Sequence, residues 1–255
     1  MSKLLEGKLA LVLGIANKWS LAYAIAQAFS REGATLVLTY LGERQKEAIA
    51  ELSQGMDVAA LLACDVTKDE ELAALAASLG ALDRPPAAVV HSLAFANRED
   101  LERPFVETSR EGFLLAQNVS AYSLVAVARA VAPLMKAGGS ISTLTYLGAT
   151  RVVPNYNVMG VAKAALESSV RYLASELGER GIRVNAISAG PVKTASARAI
   201  KGFSGILEMA GRAPLRRNTD PAEVADTAVF LASELGRGVT GNVVFVDAGM
   251  HVMGF

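Results

Sequence analysis

Ser140-Ile-Ser-Thr-Leu-Thr145 runs into Tyr146-Leu-Gly148, and Pro154-Asn-Tyr-Asn-Val-Met-Gly-Val-Ala-Lys163 follows shortly after. The first six residues, rich in Ser, Thr and Ile, read as a strand. From Asn157 to Gly178 the apolar residues Val161, Ala165, Leu166, Val170 and Leu173 recur at helical spacing. Pro154 precedes this helix, where its missing backbone donor costs little. The stretch is therefore a strand-to-helix unit with two tyrosines at the strand end and the helix start, and a lysine inside the helix. Tyr156 and Lys163 are seven residues apart, about 20° short of two full turns, so they share a helix face. At about 1.5 Å rise per residue their Cα atoms stand roughly 10 Å apart, a spacing that suits two groups holding different parts of one extended ligand. A tyrosine has an ordinary pKa near ~10, and a nearby ammonium favours its charged form. Such a pair can stabilise a developing oxyanion. The plainer alternative is an amphipathic helix start with a solvated lysine.

The same unit repeats outward in both directions. Towards the N-terminus, Lys8–Gly14, Thr35–Tyr40, Val58–Cys64 and Ala87–His91 are short apolar runs, as in strands buried on both faces. Towards the C-terminus, Ile182–Ser188 and Val243–Val246 continue the series. Helical patterns separate them, including a long one over Glu111–Lys136 that Pro133 interrupts. Asp220-Pro-Ala-Glu223 has the form of a capping box with Pro in the first helical position. Strands alternating with helices predict an α/β fold: one Rossmann-like, doubly wound, seven-stranded parallel sheet with helices on both faces. No linker or repeat divides residues 1–255, so a single domain is expected. Right-handed crossovers place every strand's carboxyl end along one edge. Gly14, Tyr40, Asp65, Ser92, Tyr146 and Ala189 converge there, and that convergence marks the site.

Each of these positions also has an ordinary reading. Gly14 opens a turn that leads through Ser20 to the helix from Leu21, an arrangement that aims backbone N–H groups at a phosphate. The full G-x-G-x-x-G spacing is absent, and an ordinary βα turn has the same form. Leu41-Gly-Glu-Arg44 stands where an acid often binds the adenosine ribose, and Glu43 and Arg44 read as an exposed first helical turn. Asp65 either touches a ligand or, with Thr67, caps the helix starting near Asp69. His91 reads as a packed strand residue. Asn118 either holds water near the centre or satisfies a backbone carbonyl. The 17 residues from Ala195 to Gly211, weakly patterned, read as a substrate-binding lid.

Of 255 residues 52% are apolar, enough for a sizeable core, and 25 basic residues balance 25 acidic ones. That balance argues against a general nucleic-acid or acidic-lipid surface. The single cysteine, Cys64, allows no internal disulfide and fits a reducing compartment. No secretory signal is apparent, and no run approaches the ~20 apolar residues of a membrane span. A cytoplasmic protein without membrane or metal sites is expected.

From Gly7 to Gly249 the chain resembles the short-chain dehydrogenase/reductase superfamily, and within it the bacterial enoyl-acyl-carrier-protein reductases of fatty-acid elongation. Tyr146-Leu-Gly through Pro154-…-Lys163 carries the resemblance most specifically, followed by Arg183-Val-Asn-Ala-Ile-Ser-Ala-Gly-Pro191. Most of the superfamily has Tyr four residues before Lys; here Met159 stands there and Tyr156 lies three residues earlier. The displaced tyrosine, with Gly14-x5-Ser20, marks the enoyl-reductase branch. The resemblance implies reduction of a trans-2-enoyl thioester with a reduced nicotinamide dinucleotide. NADH is expected rather than NADPH, because Leu41 and Gly42 offer a 2′-phosphate no cation and Glu43 would repel it, Arg44 being the residue of this turn that could swing round. The resemblance also implies an acyl carrier protein as partner and a homotetramer. Catalytic roles fall to Tyr156, Tyr146 and Lys163. Gly14, Ser20 and Leu21 would contact the pyrophosphate region, Asp65 and Val66 the adenine, and Leu93 the adenosine side. Lys163 would bind the nicotinamide ribose, with Val192, Lys193, Thr194, Ala195 and Ser196 on the carboxamide and phosphates. Ala96, Tyr146 and Tyr156 would contact substrate. Leu41 replaces a residue that is often polar and touches the cofactor in relatives. Other readings are a carbonyl reductase or alcohol dehydrogenase of the superfamily, disfavoured by the displaced tyrosine, and a non-catalytic dinucleotide-binding module.

Overall fold

A computed structural model describes residues 3–192 and 211–254. Its strands are β1 (Leu9–Leu13), β2 (Thr35–Tyr40), β3 (Val58–Ala63), β4 (Pro86–His91), β5 (Gly139–Thr145), β6 (Ile182–Ala189) and β7 (Val243–Val246). They form one sheet in the order β3-β2-β1-β4-β5-β6-β7, with every pairing parallel. The chain winds outward from β1 to β3, then crosses back to place β4 on the other side of β1. The strand order therefore reverses between β1 and β4, which opens a crevice beyond their carboxyl ends. This is the doubly wound sheet expected from the alternation of strands and helices.

The helices are α1 (Leu21–Arg31), α2 (Glu43–Leu52), α3 (Asp69–Gly80), α4 (Arg98–Glu102), α5 (Arg110–Gln117), α6 (Ser123–Val131), α7 (Asn157–Gly178) and, beyond the undescribed residues, α8 (Pro221–Ala232). They cover both faces of the sheet. Along β1 successive side chains alternate: Leu9, Leu11 and Leu13 pack towards α3, α6 and α7, while Ala10 and Val12 pack towards α1, α2 and α8. Each Leu or Val buried in this way is worth about 1.5–3 kcal/mol, which explains why the strands read as unbroken apolar runs.

Three local expectations change. The helical pattern over Glu111–Lys136 is not one regular helix: α5 passes into a π turn at Asn118–Tyr122, then α6, and a 3₁₀ turn at Ala132–Leu134 that contains Pro133. The helical run Arg110–Leu134 is long and apolar enough to cross a membrane by length and composition, contrary to expectation, but half of its most apolar window is buried within the fold. Nor does Asp65 or Thr67 cap α3. Lys68 is the N-cap, and Asp65 Oδ1 instead accepts from Thr67 N at 3.0 Å and Thr67 Oγ1 at 2.7 Å. The side chain closes its own turn before the helix begins. Asp220 does cap α8, accepting from Ala222 N at 2.8 Å while its own N–H donates to Glu223 Oε2 at 2.9 Å.

Candidate active site

Tyr146 leaves the end of β5, and Tyr156 is the N-cap of α7. Their rings meet edge to face with centroids 5.1 Å apart. What brings Tyr156 there is mostly backbone. Asn155 and Asn157, on either side of it, have φ of 60° and 38°, a left-handed conformation that Asn adopts more readily than most residues. Asn157 Nδ2 then ties the turn down by donating to Leu101 O at 3.0 Å and Arg103 O at 2.8 Å. Gly160 admits the carbonyl of Gly148 against α7, since a Cβ there would lie 2.8 Å from it. Tyr156, Met159 and Ala162 form one buried apolar cluster, against which Ala96, Leu101, Tyr146 and Val153 pack. The three residues expected to contact substrate, Ala96, Tyr146 and Tyr156, are thus assembled at one place.

Lys163 lies one face-length further along α7, buried, and its Nζ donates to Leu144 O at 2.8 Å. Burial pushes its pKa down to about 8, with the nearby Glu167 carboxylate pulling the other way. The tyrosines differ from expectation. Burial pushes Tyr146 up to about 12, helped by Asp247, and pushes Tyr156 further up, helped by Tyr146 and Glu167. The phenol of Tyr156 is not drawn towards its anion, since burial dominates its environment, and the Lys163 ammonium donates to Leu144 O instead. Both phenols are therefore neutral hydroxyl donors near neutral pH. The Tyr146 hydroxyl is buried with no hydrogen-bond partner among the described residues. His91 is the packed strand residue expected: fully buried, with Nδ1 2.9 Å from Thr143 Oγ1 and Nε2 2.8 Å from Ser123 Oγ, and pushed down to about 3 by burial.

The crevice between β1 and β4 suits a dinucleotide. At Gly14 φ is +100°, and a Cβ would stand 2.1 Å from Ser92 O at the end of β4, so only glycine fits this approach. The N-terminus of α1 carries no side-chain cap and no acid in its first turn, because Ser20 Oγ donates instead to Asn17 O at 2.7 Å. N–H groups at such a helix start are available to a phosphate. Leu21 opens this helix. Val66 is buried beside the half-buried Asp65, Leu93 is half-buried in the loop after β4, and Val192 is buried after β6. Leu41 is 68% exposed. Lys193, Thr194, Ala195, Ser196 and nearly all of the lid expected at 195–211 lie outside the described residues. Glycine at the close approach, an open helix N-terminus and a buried ammonium together fit a nicotinamide dinucleotide. Among the described residues no group of His, Cys, Asp or Glu fits a metal.

Two features escape the sequence reading. Gln45, in the first turn of α2, accepts from Leu41 N at 2.7 Å and donates to Ile15 O at 2.9 Å. It bridges the loops that follow β2 and β1, a link between chain segments far apart in sequence. In the π turn, Ser120 Oγ accepts from Phe95 N at 2.9 Å and donates to Phe95 O at 3.0 Å, pinning the loop that carries Ala96. π turns recur at functional sites. Asn118, at the start of the turn, is half-buried.

The edge where β1, β4 and β5 end therefore offers a dinucleotide crevice with a neutral hydroxyl and a buried ammonium beside it, which is the arrangement of a short-chain dehydrogenase/reductase. Within that class the chain belongs to the enoyl-(acyl carrier protein) reductase family, whose sequence profile matches residues 14–251. It is 54% identical to the NADH-type enoyl-[acyl-carrier-protein] reductase of Bacillus cereus, covering 99% of this chain and 100% of that one. It is 49% identical to the NADPH-type enzyme of Staphylococcus aureus, covering 98% of each. The crystal structure of the Bacillus cereus reductase, solved with NADP+ and an indole naphthyridinone, superposes with a TM-score of 0.96 at 54% identity, covering 99% of this chain and 100% of that one.

Proposed function

We propose that this enzyme reduces the trans-2 double bond of enoyl thioesters on acyl carrier protein during fatty-acid elongation, with NADH as the preferred donor. The observation that carries the proposal is the cluster of Tyr156, Tyr146 and Ala96 beside the buried Lys163. When bound, the reduced nicotinamide supplies the hydride that adds to the β-carbon. Negative charge then builds on the thioester oxygen, where the neutral hydroxyl of Tyr156 donates a hydrogen bond. Lys163 binds the nicotinamide ribose and adds positive field. Preorganised donors of this kind are worth about 10²–10³ in rate. The enolate is then protonated at its α-carbon. Tyr146 packs against Tyr156 and walls the acyl site with Ala96. Gly14, Ser20 and Leu21 receive the pyrophosphate, Asp65 and Val66 flank the adenine, Leu93 lies along the adenosine, and Val192 to Ser196 are assigned to the carboxamide and phosphates.

The preference for NADH rests on the end of β2. A 2′-phosphate needs a positioned cation. Leu41 and Gly42 offer none, Lys46 is paired with Glu43 at 3.2 Å, and Arg44 is the cation of this turn that could swing in. Relatives bear both NADH and NADPH names. A kcat/KM in favour of NADPH overturns the preference and points to Arg44. The proposal also includes one catalytic domain, a cytoplasmic location and a homotetramer. Exposed Leu114, Tyr122 and Tyr172 on α5, the π turn and α7 support self-association, which sedimentation tests.

The deciding experiment mixes the protein with NADH and crotonyl thioester, then with acetoacetyl thioester, and follows absorbance of the reduced cofactor. Consumption with the first alone is expected. Consumption with the second alone identifies a carbonyl reductase, and consumption with neither identifies a binding module.

A further inference from the structure

Glu167 stands one helical turn beyond Lys163 on α7. Its side chain is buried, and Oε1 accepts from Thr145 Oγ1 at 2.7 Å. The residue before Thr145 is Leu144, whose carbonyl accepts from Lys163 Nζ. Two consecutive residues at the end of β5 thus hold two side chains one turn apart on α7, one of each charge. A buried carboxylate is costly without partners, so its presence beside the buried ammonium needs a reason.

We infer that Glu167 is a positioning residue for Lys163: a buried counter-charge, anchored to β5 through Thr145, that keeps the ammonium charged where it meets the cofactor. The inference deepens the proposed function and rests on its assignment of Lys163 to the ribose. Burial alone drives a lysine towards its neutral form, and a neighbouring carboxylate opposes this. The other groups facing Lys163 supply no such charge. From β4, His91 is held neutral by burial and by Lys163 itself. Tyr156 and Tyr146 are neutral phenols, and Asp247, beyond β7, acts on Tyr146. Burial pushes the Glu167 carboxyl above its ordinary value, while the hydrogen bond from Thr145, Arg171 next along α7 and Lys163 itself pull it back towards its ionised form. Glu167 is therefore the anion placed to act on Lys163 among the described residues.

The test uses cofactor-free protein labelled with ¹³C at the lysine ε-carbons, with the Lys163 signal assigned by its loss in Lys163→Gln. In the parent the signal should titrate near pH 8. In Glu167→Gln, which keeps the shape and still accepts from Thr145, the midpoint should fall by about one pH unit or more. Over the same pH range, NADH affinity followed by fluorescence should begin to fall at correspondingly lower pH. An unchanged Lys163 midpoint overturns the inference. Should Glu167→Gln fail to fold, a ¹³C-carboxyl titration of Glu167 in the unaltered chain decides: an ionised carboxylate at pH 7 supports the inference, and a protonated one overturns it. Failure of the parent to bind NADH counts against the proposed function instead, because the Lys163 titration needs no cofactor.

Discussion

Gly148 lies against the ring of Tyr156: a Cβ at position 148 would stand 2.4 Å from Tyr156 Cδ1 and 2.7 Å from Cε1. The Tyr-Leu-Gly sequence after β5 therefore does more than turn the chain. Its glycine leaves the space in which the second tyrosine sits, and its tyrosine supplies the edge of the aromatic pair.

Gly148→Ala should displace the Tyr156 ring while leaving most of the fold in place. A displacement of about 1 Å can cost about 10²-fold in turnover, whereas overpacking of this kind costs about 1–3 kcal/mol of stability. Steady-state kinetics alongside thermal unfolding separate the two effects. A variant with parental kcat would show that the ring position is unimportant.

Lys163→Ala should weaken NADH binding as well as turnover, because its assigned partner is the ribose. Tyr156→Phe should leave cofactor affinity nearly intact and lower kcat, modestly if Lys163 also stabilises the enolate. Equal NADH dissociation constants in the two variants would refute this division of roles.

Gln45→Ala should loosen the loops after β1 and β2 together. Each neutral hydrogen bond is worth about 0.5–1.5 kcal/mol, so NADH affinity should fall roughly 3- to 10-fold with kcat at saturation unchanged. Calorimetric titration measures the first quantity. An unaffected affinity would reduce the bridge to a surface contact.

Acid should destabilise the fold through His91. Its folded-state pKa, about 3, lies below the ordinary value of about 6.5, so between these values the unfolded chain binds the extra proton. Stability is therefore intact above about 6.5 and falls by about 1.4 kcal/mol per pH unit as pH drops through that window. Urea unfolding at pH 7, 6 and 5 should show a shallower decline in His91→Asn than in the parent. Parallel declines would place the acid sensitivity elsewhere.

Much of the architecture is local in origin and was legible in the sequence. An apolar run between turn residues is a strand buried on both faces wherever it occurs, and α7 runs from Asn157 to Gly178 as its periodicity required. The spacing of Tyr156 and Lys163 alone placed both near the start and on one face of that helix, where they lie. The π turn was not legible, since an apolar period that continues through Asn118–Tyr122 looks the same whether or not one turn is wider. Gln45 looked like any polar residue of a helix start, because its two partners, Ile15 and Leu41, lie at the ends of different strands. The largest change concerned charge. Sequence spacing set Lys163 near Tyr156 and suggested an acidified phenol, but a pKa depends on how much water is removed and on which charge is nearest. The packed sheet supplied both answers. Burial kept the tyrosine a neutral hydroxyl, and Glu167, brought against Thr145 by the docking of α7 on β5, became the lysine's counter-charge. The periodicity of side chains along each element determined the fold. Which groups lose water, and beside which charge, was decided only when elements distant in the chain packed together.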